Sequence, residues 1–354
     1  MTTDQQPQPA AVLSEDPRAD CPWCGSVRLR VRLRTVDPGR RLPGPFVLDE
    51  CLDCGHTFQN PRLTPEDLAR HHRARHLAPG GHRDDGTVRH PPRRHRAVLA
   101  AVLRFGEPES WLDVGTVDAA FCAAARQARP YTAYDALGTH PVLAEALADG
   151  RLDEAHRGTL PELAPELAGR YDVVSMFHHL EQTADPRAEL AAARTVLRPG
   201  GHLVVETPDP RSRTARLLGR WWIWYEQPRR PHLMPLRNLR RELEELGYTV
   251  VAAERRGAHV PLDLSAALAR LLGSRLPADG APWRTRPRGP LHRAARRLAL
   301  RAAAPALSAA RLLDRLLAPA VRRSRYANAY RLVARKEAGL ATAASRAAVG
   351  PGPR

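Results

Sequence analysis

The chain has 354 residues, enough for two or three compact units, and 55 Lys and Arg against 38 Asp and Glu leave a formal charge of +17. Nearly all of that positive charge is arginine in an Ala- and Pro-rich composition, so the surplus favours anionic partners without by itself designating nucleic acid. The polar first twenty residues lack the apolar stretch of a secretory signal, and no run approaches the ~18 apolar residues of a spanning helix, so a cytoplasmic protein is expected.

Residues 1–16 read as a disordered terminus. From 17 to 62 the chain carries Cys21-Pro-Trp-Cys24-Gly25 and Cys51-Leu-Asp-Cys54-Gly55, four of its five cysteines. Glycine after the second Cys of each pair lets backbone amides face the thiolates. Two such knuckles, with Val31, Leu33, Phe46 and Val47 as strand material between them, make a tetrahedral Zn2+ site of Cys21, Cys24, Cys51 and Cys54, reduced thiols being the alternative. A segment this short has little core without its metal.

Residues 63–96 read as a helix followed by a basic linker. Thr64, Pro65 and the acidic Glu66-Asp67 form a helix start. The irregular spacing of His71, His72, His76, His82, His90 and His95 suits a solvated linker better than a metal site. Val98, Leu99, Val102 and Leu103 then recur at helical spacing up to Gly106.

The core is expected over 97–257. Ser110-Trp-Leu-Asp-Val-Gly115 reads as a buried strand turning straight into a helix, the opening unit of a nucleotide-binding α/β domain. Tyr131-Thr-Ala-Tyr-Asp135 reads as a second strand with Asp135 at its carboxyl end, placed to accept ribose hydroxyls. Further strands are expected near 154–157, 171–177, 201–206, 248–254 and 328–335. Helices are expected near 119–128, 141–148, 161–168, 186–196 and 236–246. Alternating βα units imply a parallel sheet covered on both faces. Asp118 reads as a helix cap or a ligand contact, and Cys122 as core packing. Trp221-Trp222-Ile-Trp224-Tyr225-Glu226 either stacks on a substrate or covers a seam between core and insert.

An insert, 258–325, precedes the last strand at 326–337, and 338–354 reads as a disordered tail. From Arg284 to Arg325 there are twelve arginines and one acid, Asp314. Leu291, Leu298, Leu312, Leu313, Leu316 and Leu317 recur in it, and Pro305 and Pro319 are expected to divide it into short helices. Apolar stripes with basic faces suit an anionic membrane surface, or packing on the protein's own domain.

Leu112-Asp-Val-Gly115, Asp135, Tyr171-Asp-Val-Val-Ser-Met-Phe-His-His-Leu-Glu-Gln182 and Leu197-Arg-Pro-Gly-Gly-His-Leu-Val-Val-Glu206, in that order, resemble a class I S-adenosylmethionine (SAM)-dependent methyltransferase over roughly 110–260. The resemblance implies a Rossmann-like seven-stranded doubly wound sheet of the methyltransferase type, with a small N-terminal zinc ribbon and a helical insert before an antiparallel last strand. Thr57–Leu68 resembles the segment that precedes many small-molecule methyltransferase domains, including sugar C-methyltransferases. The chain departs from the family in its loop. Where the family reads D-x-G-x-G-x-G, Asp113-Val-Gly115-Thr-Val117-Asp-Ala119 keeps one glycine, and a β-branched Val117 in a left-handed conformation would cost roughly 1–2 kcal/mol.

The resemblance places the methionine end of SAM at Asp113 and Gly115, the ribose at Asp135, and the adenine by Thr159 in Gly158-Thr159-Leu160. It sets Phe177 and His178 beside the methyl group. His178 and His232 are the candidate proton acceptors, with pocket shaping the alternative for His178. The implied partner is a small-molecule acceptor, a sugar or secondary metabolite. Two other readings stand: a catalytically degenerate binding protein, supported by the missing glycines, and an rRNA methyltransferase. The last ranks lowest, because the second Cys pair and the segment after it do not match that type.

Overall fold

A computed structural model describes residues 14–36, 45–76, 92–116, 118–276 and 289–337. Val117, His82, His90 and most of the two terminal stretches expected to be disordered lie outside these. Residues 14–16 are not loose: Ser14 bridges Leu63, and the Glu15 carboxylate pairs with Arg62 at 2.5 Å.

The amino-terminal unit is a small antiparallel sheet of β1 (Leu29–Thr35), β2 (Phe46–Cys51) and β3 (Thr57–Gln59), with Leu48, Phe58, Cys21 and Cys51 buried beneath it. Its fourth strand is borrowed. β9 (His232–Leu233) from the larger domain pairs antiparallel with β3, Phe58 opposite His232 and Thr57 opposite Leu233. The boundary expected at residue 62 therefore divides the sequence but not the sheet. Helix α1 (Pro65–His76) follows, its Asp67 amide donating to Thr64 Oγ1 at 3.3 Å as the Thr-Pro start predicts. α2 (Pro92–Leu103) then leads into the core.

The second sheet has seven strands. β4 (Ser110–Val114), β5 (Ala133–Gly138), β6 (Ala155–Arg157), β7 (Tyr171–Phe177) and β8 (Leu197–Pro208) are parallel; β10 (Tyr248–Glu254) is reached after β9, and β11 (Ala329–Lys336) closes the chain. The order is β10-β11-β8-β7-β4-β5-β6, and β11 runs antiparallel between β8 and β10, as the family resemblance implies for the last strand. The chain moves outward from β4 through β5 to β6, then returns to β7 on the other side of β4. That reversal opens a crevice at the strands' carboxyl ends.

Near-continuous apolar runs in the inner strands reflect burial on both faces. On one face α2, α3 (Ala120–Ala128) and α4 (Val142–Ala148) pack Val98, Leu99, Phe121, Cys122 and Leu143 against Trp111 and Tyr134. On the other, α5 (Leu160–Leu163), α6 (Pro186–Val196) and α8 (Leu236–Glu245) pack Leu160, Leu190, Leu239 and Leu243 against Leu112, Val174 and Leu203. α8 follows the short α7 (Arg213–Leu218).

The Trp-rich stretch is a seam. Trp222, Trp224 and Tyr225 are buried with Leu48, Ala215, Leu233 and Val260, where the amino-terminal unit, core and insert meet. Arg270 of α9 (Asp263–Arg275) clamps it, donating to the carbonyls of Trp222, Ile223 and Tyr225 at 2.7–3.0 Å. The insert's second part is one 32-residue helix, α10 (Pro290–Val321), with Pro305 and Pro319 inside it, not the short helices expected. An interior proline forfeits one backbone bond but leaves the turns on either side intact. Asp314, buried on the inner face of α10, accepts from the amides of Leu264 and Ser265 at 2.9 Å and so caps α9 from outside.

Candidate functional site

Four sulfurs come together in the amino-terminal unit. The Sγ atoms of Cys21, Cys24, Cys51 and Cys54 all lie within 4.8 Å of one another, with 3.6 Å between Cys21 and Cys54 and between Cys24 and Cys51. A tetrahedral zinc with bonds of about 2.3 Å spaces its sulfurs about 3.8 Å apart, so the set fits such an ion. Gly25 and Gly55 adopt φ of 72° and 75°, turning each knuckle. The amides of Trp23, Cys54 and His56 point at the sulfurs at 3.4–3.5 Å, the donor pattern that thiolates require.

The crevice at the carboxyl ends of β4 to β7 holds a cavity of ≈ 400 Å³. Its floor is Gly115-Thr116 after β4, Gly138-Thr139-His140 after β5 and Gly158-Thr159-Leu160 after β6. The segment after β7 supplies His179 and Gln182–Asp185, α6 adds Glu189, and α1 closes one wall with Pro65, Leu68 and Ala69. Gly115 has φ +77° because the strand must turn there. Ala119, at the family's third glycine position, has φ +52°, a left-handed conformation without the glycine that would relax it.

Of the five residues expected to hold the cofactor, Gly115 and Thr159 line this cavity. Thr159 also caps α5, exchanging bonds with Glu162 in a capping box. Asp113, Asp135 and Phe177 do not line it. Asp113 is buried within β4 and accepts from Ser175 Oγ at 2.6 Å; burial pushes its carboxyl up to about 7. The Phe177 ring packs edge-on against Phe121, 5.0 Å away in the core.

Asp135 is the largest correction. β5 runs three residues beyond it to Gly138, so the strand's carboxyl end carries Gly138-Thr139 and no acid. Asp135 instead accepts from Tyr171 OH at 2.8 Å and from the Glu154 amide at 3.0 Å, with Arg170 at 3.5 Å. Burial would raise this carboxyl, but hydrogen bonds from His156 and Tyr171 hold it below its ordinary value. Asp135→Asn is therefore expected to lower stability by about 1–3 kcal/mol while leaving cavity affinity unchanged. A depressed carboxyl stabilises the fold above about pH 4, so the deficit should be full at pH 7 and shrink in acid. Urea melts at both pH values and calorimetry on the variant check this; a large affinity loss with normal melting contradicts it.

Both candidate bases are withdrawn from the cavity. His178, at φ +53°, turns its ring into a buried network. Its Nδ1 faces Glu181 Oε1 at 3.2 Å, Nε2 faces Arg94 at 3.2 Å, and the ring stacks on Trp224 at 4.6 Å. The Arg230 guanidinium also lies over Trp224, 4.5 Å from the ring centre. His232 lies in β9 against His56 at 3.2 Å and the Ala184 carbonyl at 3.3 Å; burial lowers it to about 4.

Of the adjacent pair it is His179 that reaches the cavity, which His140 also lines. The His179 ring sits over Gly115 so closely that a Cβ there would lie 2.1 Å from Nδ1. Nε2 faces Glu189 Oε2 at 3.2 Å; burial lowers the imidazole, but the charge and hydrogen bond of Glu189 together with the charges of Glu181 and Asp113 raise it on balance. Arg229 adds a cation, donating to Gln182 Oε1 at 2.8 Å. The signal was the adjacent pair His178-His179 at a strand's end. The positive φ at the first directs its ring away and leaves the second to face the ligand side.

Residues 88–253, just under half of the chain, match the family described as a methyltransferase domain. A curated relative, the ubiquinone biosynthesis O-methyltransferase of Marinobacter nauticus, is 37% identical over 78 residues, 21% of this chain and 33% of the relative. The chain thus spans about a third of the length of the curated relatives it matches. Among solved structures, the 4+2 cyclase SpnF is similar at 16% identity and a TM-score of 0.44, covering 69% of this chain and 81% of that one. The 1,6-didemethyltoxoflavin-N1-methyltransferase of Burkholderia thailandensis, solved with S-adenosylhomocysteine, is similar at 18% and a TM-score of 0.42, covering 57% and 89%.

Proposed function

We propose, from the match of residues 88–253 to the methyltransferase-domain family, that the protein transfers the methyl group of SAM to a small-molecule acceptor. The observation that carries the reading is the ≈ 400 Å³ cavity at the topological switch point of the sheet, within the size range of small-ligand sites. SAM supplies the electrophilic methyl when bound; the chain's part is to hold, orient and exclude water. With no carboxylate ending β5, the Thr139 and Thr159 hydroxyls are the groups placed for ribose. Arg229 presents positive charge to a carboxylate, and the neutral His179 imidazole, held by Glu189, takes the acceptor's proton. Zn2+ held by Cys21, Cys24, Cys51 and Cys54 is structural in this reading, since all four positions are protein sulfurs. The finer reading, a sugar or secondary-metabolite acceptor, rests on the segment 57–68, whose helix α1 supplies Pro65, Leu68 and Ala69 to the cavity wall.

One observation favours a second reading, a binding domain without turnover: His179 fills the space over Gly115 where a ligand would approach the turn. Calorimetry with SAM and S-adenosylhomocysteine separates the two. The enzyme reading expects saturable binding by the wild type. Gly115→Ala should weaken it at least about tenfold, through backbone strain at positive φ and the clash with His179. Binding absent from the wild type but present in His179→Ala would make the imidazole a plug and sink the enzyme reading. Silence from both proteins would sink either.

A further inference from the structure

α10 is amphipathic in an unusual sense: its leucine stripe faces away from the domain. Leu291, Leu298, Leu312, Leu313, Leu316 and Leu317 are 47–85% exposed. At about 100° per residue most of them fall within an arc of roughly 120° on one side of the helix. The opposite side meets α9 through smaller contacts, with Asp314 capping it and Arg296 donating to the Leu276 carbonyl at 3.1 Å. Arg297, Arg301, Arg311 and Arg315, all exposed, form a second stripe beside the leucines. The helix has one acid, Asp314, and it is buried, so the outer surface of α10 carries no negative charge. The surface continues past its end. The Arg213 amide of α7 bonds the Arg325 carbonyl at 2.9 Å, and α7 adds exposed Arg213, Arg216 and Leu217.

We propose that this face docks on an anionic phospholipid bilayer, lying in the interface with its leucines in the acyl boundary and its arginines among the headgroup phosphates. Charge decides between occupants. A second copy of α10 would bring two arginine stripes together with no acid to offset them. Nucleic acid would use the arginines but leave six leucines in water. An anionic membrane satisfies both stripes. No helix among the described residues is long and apolar enough to cross a bilayer, so the contact is peripheral.

The test is cosedimentation of the full-length protein with vesicles of phosphatidylcholine alone or with about one third phosphatidylglycerol, an anionic fraction large enough to attract a basic helix. Uptake is expected on anionic vesicles at low salt, falling as salt rises, and not on neutral ones. Leu298→Asp/Leu316→Asp should weaken uptake at least about tenfold, because apolar burial is lost and negative charge added. Arg297→Gln/Arg301→Gln/Arg311→Gln should weaken it several-fold. Because the substituted side chains are exposed, circular dichroism should show both variants folded. Undiminished uptake in the leucine variant would mean that the arginines hold any polyanion, RNA included, and would overturn the proposal. So would absence of uptake by a wild type that sediments as a dimer and becomes monomeric in the leucine variant.

Discussion

Protein purified without chelator is expected to carry one zinc per chain, and stripping it should unfold residues 17–62 and release β9. The apparent binding free energy of structural zinc in small domains is about 10–16 kcal/mol at neutral pH. Among the described residues the unit's own buried cluster around the site is Cys21, Cys51 and Phe58, with Trp23, Leu29 and Cys54 at its edge. Nothing of that size replaces the metal. The damage should spread by a defined route. β3 pairs with β9, His56 packs on His232, and Arg62 donates to the Ala184 carbonyl at 2.8 Å, in the loop that lines the cavity. Chelation should therefore raise amide exchange in β3, β9 and residues 182–185 and weaken cavity binding, while β4 and β7 stay protected. Metal content below about half an equivalent, or full retention in Cys21→Ser/Cys51→Ser, would count against a four-sulfur site.

Glu206→Ala is expected to destabilise the core by about 3–5 kcal/mol, the cost of stranding buried charge. Glu206 is fully buried at the end of β8. Its Oε1 accepts from Arg331 Nε at 2.6 Å, and its Oε2 pairs with Arg94. Arg331 is itself inaccessible in the middle of β11, and Arg94 is nearly so on α2. Removing the carboxylate leaves two guanidinium groups without their central partner. Glu254 retains Arg331 at 2.7 Å, but it is partly exposed, so Glu254→Ala should cost about 1 kcal/mol or less. The contrast is the test. Urea melts placing the two variants within about 1 kcal/mol of each other would show the Glu206 network to be no stronger than a surface pair.

Much of the molecule was legible before any coordinates. The antiparallel last strand was implied by the family resemblance, and the 221–226 cluster stood open between substrate stacking and a seam. The seven strands and the paired knuckles follow from features that local sequence carries. These are period-two and period-3.6 patterning, turn glycines, and thiols at ligand spacing. Glu206 and Arg331 stand inside apolar strands, but their pairing appears only in the structure.

The site was less legible because its membership depends on where strands stop and which way backbones turn. Asp135 was assigned to the ligand on the assumption that β5 ends there; three more strand residues move it inside the sheet, into the grip of Tyr171 and Arg170. His178 and His179 are chemically identical neighbours, and a positive φ at the first, recorded in no residue type, decides which faces the cavity. His232 follows the core strand β8 in sequence yet pairs into the amino-terminal sheet opposite Phe58, a pairing between positions 174 residues apart that no local pattern encodes. The sequence alone established the fold class, the sulfur site and the arginine–leucine character of the insert, since composition and spacing suffice for these. Only the tertiary structure decided which side chains meet at the cavity and which face of α10 meets solvent. Both depend on long-range packing, which places each stripe and each ring by what else has already filled the space.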